Sequence, residues 1–462
     1  MPDASFRREQ HRLTMDPRHR TWATSERFVP KTFIEPVARF TRIEAASGIV
    51  LLIAAVVALV WANSGWSETY FSLLEEHLTI EFFSFHLDES VLHLINDGLM
   101  AIFFFVVGLE IKRELVLGDL RDPKTAALPV MAAIGGMVVP ALIYVAFNAG
   151  TAASHGWGIP MATDIAFAVG VVALLGSRVP SGAKLFLLAV AIADDIGAIA
   201  VIAIFYTTDL DARYLAAAVA GLLVVWVAGR VGIRAMWFYI PIALVIWYFT
   251  LESGVHATLA GVALGFLTPA NPYYRPREFD ERARAILDQY EPDDITDRAA
   301  QEHADHEALL LSDIANESVA PLARLEHRLV GWSSFVIVPI FALANAGVDF
   351  RGSSIADALT SRVALGVSVG LVVGKFVGIS LASFGAVRFG LGRLPAGTSW
   401  SHVLGLAAVA GIGFTVSLFV AGLAFSDPEL AELAKVGIFA GSLVSGIIGS
   451  ILLTRARPPS ET

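Results

Sequence analysis

Two adjacent aspartates, Asp194 and Asp195, stand in the middle of the apolar run 187–206, LLAVAIADDIGAIAVIAIFY. A helix of about twenty residues crosses the hydrocarbon layer of a bilayer, so this placement puts two carboxylates near a membrane midplane. Each ionised acid there costs roughly 2.5–3.5 kcal/mol on insertion scales, so the pair must be neutralised by a base, a proton or a metal cation. Neighbours on a helix lie about 100° apart, so both side chains can reach one cavity from different directions. The other ionisable groups placed deep in apolar runs are Asp164 and Lys375. One Asp can pair with Lys375 as a buried salt bridge, which leaves two carboxylates without a base. Desolvation and mutual repulsion favour the protonated form of such a pair, which then titrates as a unit. Acids that trade protons for a cation are the chemistry of an antiport site. Carboxylates with the Thr163 hydroxyl, freed backbone carbonyls and water suit a hard alkali cation. No His or Cys stands close in sequence to select a transition metal.

The elements that must position these groups follow from composition. The 462 residues are 55% hydrophobic and 16% charged, with mean hydropathy +0.64, and the apolar residues fall in blocks long enough to span a bilayer. No block shows the apolar/polar alternation of an outer-membrane strand, so the chain reads as an all-α polytopic membrane protein. Twelve transmembrane helices are expected near 44–62, 91–113, 124–147, 157–176, 183–207, 212–230, 235–251, 254–268, 329–347, 360–386, 398–425 and 431–454. Alternate connectors are basic: Lys112, Arg113, Arg121 and Lys124; Arg178 and Lys184; Arg230 and Arg234; Arg388 and Arg393. The connector 63–90 has no Lys or Arg. The positive-inside rule then places both termini in the cytoplasm. The expected organisation is a cytoplasmic tail 1–43, a first membrane part 44–268, an acidic cytoplasmic loop 269–327, a second membrane part 328–455 and a short tail 456–462. The loop carries 14 acids against 6 basic residues, −8 of the formal −10, and reads as a solvated, partly disordered insertion. Within 63–90, the stretch 78–87 (LTIEFFSFHL) is too short to span and suits a small extracytoplasmic hairpin. With no cysteine, disulfides and thiolate chemistry are excluded.

The spacing T-x-x-x-F-x-x-G occurs twice, from Thr163 to Gly170 and from Thr415 to Gly422. Each copy follows a helix-breaking signal, Gly158-Ile159-Pro160 or Gly411-Ile412-Gly413, on helices expected to run in opposite senses. That is the pattern of inverted repeats with interrupted helices crossing at mid-membrane. Half-helix ends carry partial charges that need buried counter-charges, for which Asp164 and Lys375 are the candidates.

At these residues the chain resembles the NhaA family of sodium/proton antiporters. The matching stretches include FFFVVGLEIKREL (103–115), GIPMATDIAFAVGVVALLG (158–176), LAVAIADDIGAIAVIAIFYT (188–207), SGVHATLAGV (253–262), RLEH (324–327), PIFALANAGV (339–348), VGKFVGI (373–379) and GIGFTVSLFVAGLAF (411–425). The resemblance implies a bacterial inner-membrane exchanger, not an enzyme, that expels Na+ or Li+ and admits two protons per cation, electrogenically and without a cofactor. It implies Asp195 as principal ligand, Asp194 beside it in alternative partnership with Lys375, and Asp164 with Thr163 at the crossing. It further implies a pH response through His256 and a cytoplasmic group of Glu110, Arg113, Glu114, Arg324, Glu326 and His327, and a homodimer joined through the hairpin. The partners are then Na+, Li+, H+, the lipid bilayer and a second copy, with no nucleic acid. The long insertion before RLEH and the absence of a second histidine soon after it depart from the family pattern. Two other readings compete: an intramembrane aspartyl protease using Asp164 and Asp195, whose usual YD and GxGD signatures are lacking, and sodium-coupled symport of an organic anion.

Overall fold

The computed structural model describes residues 45–82, 85–207, 210–288, 298–351 and 355–456. The tail 1–43 and residues 457–462 lie outside them. The chain folds as helices α1 (Ala46–Ala62), α2 (Ser67–Glu75), α3 (Val91–Val116), α4 (Pro123–Asn148), α5 (Ile165–Leu174), α6 (Ser181–Phe205), α7 (Ala212–Val231), α8 (Met236–Glu252) and α9 (Thr258–Leu267). There follow α10 (Pro276–Leu287), α11 (Arg298–Glu317), α12 (Pro321–Asn345), α13 (Ile355–Thr360), α14 (Arg362–Arg388), α15 (Trp400–Val409), α16 (Phe414–Ala424) and α17 (Pro428–Arg455). Strands β1 (His77–Phe82) and β2 (Phe85–Ser90) pair antiparallel between α2 and α3, with His77 opposite Ser90 and Phe82 opposite Phe85. The hairpin expected at 78–87 is therefore present. Sequence signals set the helix ends: Asp122, Asp211 and Asp427 accept at the N-caps of α4, α7 and α17, and prolines 123 and 428 follow two of them. Gly232, at φ +91°, ends α7 in the left-handed conformation.

Among the described residues seven helices are long and apolar enough to cross a membrane, or up to ten if each bent pair is one span. The twelve spans expected from the sequence also require the shorter apolar helices α8 and α9. Outward faces are apolar and exposed, as with Leu52 and Val60 on α1, Leu223 and Val227 on α7, and Trp237 and Leu244 on α8. Exposed apolar helix faces of this extent belong against lipid tails, and the chain is a multi-pass membrane protein. Small residues bring the inner helices together. A Cβ on Gly135 would stand 2.3 Å from the Gly378 carbonyl oxygen, so α4 and α14 touch backbone to backbone.

Among its described residues, the segment 269–327 is largely helical. It carries α10, α11 and the start of α12, so RLEH lies inside a helix. Its acids and bases fall at helical spacing, with Arg277 on Glu281 at 3.3 Å and Arg284 on Asp280 at 2.9 Å. Charge of both signs at i and i+4 supports a helix where low hydrophobicity alone suggests disorder.

Candidate functional site

The two interrupted helices meet at their breaks. In one, a 3₁₀ segment Ala152–Met161 gives way to extended Ala162, Thr163 and Asp164 before α5, with a 43° bend. In the other, α15 and α16 are separated at 410–413 and bent by 45°. Breaks strand backbone groups in a dry interior, and here each break satisfies the other. The Asp164 N–H donates to the Ile412 carbonyl at 2.7 Å, and the Thr163 hydroxyl donates to the Ala410 carbonyl at 2.9 Å. The Ser417 hydroxyl reaches the Ile159 carbonyl at 2.8 Å, while Gly156 packs against Phe425. From Gly156 through Ile159 to Thr163 the partners fall from Phe425 through Ser417 to Ala410, so the two interrupted helices approach antiparallel, and at Asp164 the order reverses to Ile412 and Thr415.

Asp164 holds the crossing together. Its carboxylate accepts from the Phe167 N–H at 2.9 Å, from the Thr415 N–H at 3.0 Å and from the Thr415 hydroxyl at 2.7 Å. One side chain thus caps the N-termini of both α5 and α16. Each terminus carries roughly half a positive charge, so a single carboxylate balances the two. Of the two counter-charge candidates, Asp164 takes this task.

Lys375 finds another partner. Its Nζ donates to Asp194 Oδ2 at 2.5 Å, with both side chains fully buried. A π-helical stretch, Gly370–Gly374, precedes Lys375 on α14, and its stem packs beside Gly136 of α4. Such bulges are frequent at functional sites. The second Asp194 oxygen, Oδ1, is buried without a hydrogen-bond partner, and Thr163 flanks the same carboxylate. Asp195 is 6% exposed. No donor among the described residues reaches its carboxylate, and the charges acting on it are Asp194, Glu110, Lys375 and Asp164. A buried acid with acids for neighbours and one base already engaged takes up a proton or a cation. The oxygens of Asp195, Asp194 and Thr163 could hold a small hard cation. No group of three or more His, Cys, Asp or Glu side chains suited to a metal ion occurs among the described residues.

Glu110, on α3, acts on both Asp195 and Glu326 and so links this centre to the basic face. There Arg113 forms ion pairs with Glu326 and, at 3.0 Å, with Glu114, and exposed His327 adjoins Glu326. Arg324 does not join them. It points to the α11–α12 side, among Arg234, Arg328 and Glu317, because a helix turns neighbours two residues apart to opposite faces. His256 lies at the far end of α9, where its Nε2 is 2.7 Å from the Tyr206 carbonyl at the end of α6.

Two contributors escape sequence reasoning. Lys112 donates to the Phe266 carbonyl at 2.6 Å and to that of Thr268, closing the C-terminus of α9. Buried Asp97 faces His93 at 3.2 Å and also His256. Asp97 had a legible signal, an acid inside the apolar run LINDGLMA; Lys112 had none, since a basic pair at a helix end looks solvated.

The family model described as Na+/H+ antiporter 1 matches residues 38–453. Similar proteins include the "Na(+)/H(+) antiporter NhaA" of Oleidesulfovibrio alaskensis, 46% identical over 436 residues, which cover 93% of this chain and 96% of that one. Those of the same name from Rhodopirellula baltica, 46% identical over 92% of this chain and 95% of the relative, and Acidithiobacillus ferrooxidans, 47% identical over 91% and 97%, match as extensively. Likeness of this extent covers the crossing, the aspartate pair and the lysine together: the chain belongs to the Na+/H+ antiporter 1 family.

Proposed function

We propose that this protein exchanges Na+ or Li+ for H+ across a bacterial inner membrane, with Asp195 and Asp194 as the shared site. The observation that carries this is the Asp195 carboxylate, buried without a donor beside an Asp194 of which Lys375 satisfies only one oxygen. The proton-loaded site holds a neutral Asp195 carboxyl and the closed Lys375–Asp194 pair. The cation-loaded site needs both carboxylates charged and turned to the ion, so Asp194 leaves Lys375. A buried ammonium without its partner is unstable, and its proton departs. Two protons then leave for each monovalent cation, and one net charge crosses per cycle. Asp164 and Thr163 hold the crossing against which the site rocks, so that access alternates between faces.

The same reading gives cytoplasmic termini, twelve spans, pairing of two copies through the β1–β2 hairpin, and a pH response that runs from the Arg113–Glu326 group through Glu110 to Asp195. His256 would respond from the opposite end. An aspartyl protease is disfavoured, because three donors occupy the Asp164 carboxylate that a catalytic dyad needs free. Everted membrane vesicles test the exchange: added Na+ should dissipate an acid-inside pH gradient, and Asp195→Asn should abolish the response. An Asn variant that responds like the parent excludes Asp195 as the exchanging acid.

A further inference from the structure

His402 is a histidine that the exchange chemistry leaves unused, and it is 1% exposed at the start of α15. Its Nδ1 accepts from the Ser399 backbone N–H at 3.2 Å and lies 2.7 Å from the Ser399 hydroxyl. The ring also bonds the backbone carbonyl of Arg178. These partners fix the tautomer. A nitrogen that accepts from an N–H carries no proton, so the ring proton sits on the other nitrogen and is donated to Arg178. Ser399 and His402 together form the capping box of α15.

The location matters more than the residue type. The cap begins one interrupted helix, and Arg178 closes the turn 176–178 that follows the other. The loop before the cap lies on the first turn of α6, where a Cβ on Gly182 would stand 2.5 Å from the Ala396 carbonyl oxygen. One imidazole therefore ties the start of α15 to the turn that follows α5, while the loop before the cap packs on α6. The elements packed here carry Lys184, Asp194 and Asp195 on α6, Arg362, Lys375 and Arg388 on α14, Arg393 in the loop, and Glu429, Glu432, Lys435 and Arg455 on α17. None of these side chains acts on the His402 ring, so no acid is placed to hold an imidazolium. Protonation would also turn Nδ1 from acceptor to donor, facing the Ser399 N–H with a second N–H.

We propose that His402 is a pH latch: neutral, it holds the start of one interrupted helix to the turn that ends the other, and protonated, it releases the α15 cap and disables the crossing. As a regulator of transport the latch rests on the exchange reading; as a structural device it does not.

The test uses the full chain and two readouts. Glutamine suits the third position of a capping box, can accept from Ser399, can donate to Arg178 and does not titrate. Sodium-dependent proton flux in everted vesicles, from about pH 5.5 to 9, should fall on acidification in the parent and fall about one unit lower in His402→Gln. His402→Ala should be impaired at every pH. Hydrogen–deuterium exchange of amides 399–403 in the purified protein, corrected for the intrinsic pH dependence, should show protection lost on acidification in the parent and retained in His402→Gln. Superimposable flux profiles of parent and Gln variant overturn the regulatory role. Parent protection that does not change with pH overturns the latch itself, a result that needs no variant. Absence of sodium-dependent flux in the parent at every pH defeats the exchange reading instead, and the amide measurement still decides the latch.

Discussion

Asp164 and Asp195 are both aspartates, both buried, and both at the meeting point of the site-bearing elements, yet their surroundings are opposite. Three hydrogen bonds and two helix N-termini surround the first. The second has no donor among the described residues, and its charged neighbours are mostly acids. The first is an acid whose oxygens the fold supplies with donors, and the second an acid whose oxygens it leaves open. Burial therefore says little about what a membrane carboxylate does; its donors say more. The crossing is held by hydrogen bonds from each break to the other, and the neighbouring site can change occupancy because Asp195 and one Asp194 oxygen have no donor among the described residues.

Four substitutions probe this contrast. The largest effect is expected from Lys375→Ala, which leaves Asp194 buried without its base: loss of one partner of a buried pair costs about 3–5 kcal/mol, read as a strongly lowered apparent unfolding temperature in detergent. An unchanged midpoint would mean that the pair does not hold the fold. Asp164→Ala removes two caps at once and should cost about 1–4 kcal/mol by the same measurement, with exchange lost because the crossing loosens. Asp195→Asn should separate the two properties, abolishing exchange while leaving the midpoint as high as the parent's, since neutralising an unpaired buried acid removes a desolvation cost. A lowered midpoint in Asp195→Asn would assign this residue a structural task like that of Asp164.

The smallest effect belongs to Arg351→Ala. Hydrogen bonds from the Arg351 side chain and backbone bring the half-buried Asp349 carboxyl down to about 2. An acid with a depressed folded-state value adds stability above its unfolded value of about 4 and loses it as pH falls toward 2, so Asp349 stays ionised between about pH 6 and 9 with or without Arg351. Flux across that range should be unchanged; any shift would connect this surface pair to the transport path.

Much of this was legible in the chain because membranes simplify the code. Apolar length marks the helices, prolines and Asp, Ser or Gly punctuation marks their ends, and acids inside apolar runs stand out, so the aspartate pair, Asp164, Lys375 and both breaks could be named from the sequence. The pairings could not. Nothing local directs Lys375 to one of the three aspartates, and its choice of Asp194 spans 181 positions. Arg324 shares the RLEH motif with Glu326 but faces another way, and the acidic stretch 269–327 looked unstructured by composition while its charges fall at helical spacing.

Local chemistry along the chain dictates that it crosses a bilayer as helices, that more acids than bases are buried there, and that two helices are interrupted, because hydropathy and backbone breaks are properties of short stretches. Only the tertiary structure decided which acid is neutralised by helix ends, which by lysine and which by nothing. Hydrogen bonds and electrostatic interactions in a dry interior depend on distances of a few ångströms between segments far apart in the chain, and those distances exist only once the two breaks have crossed.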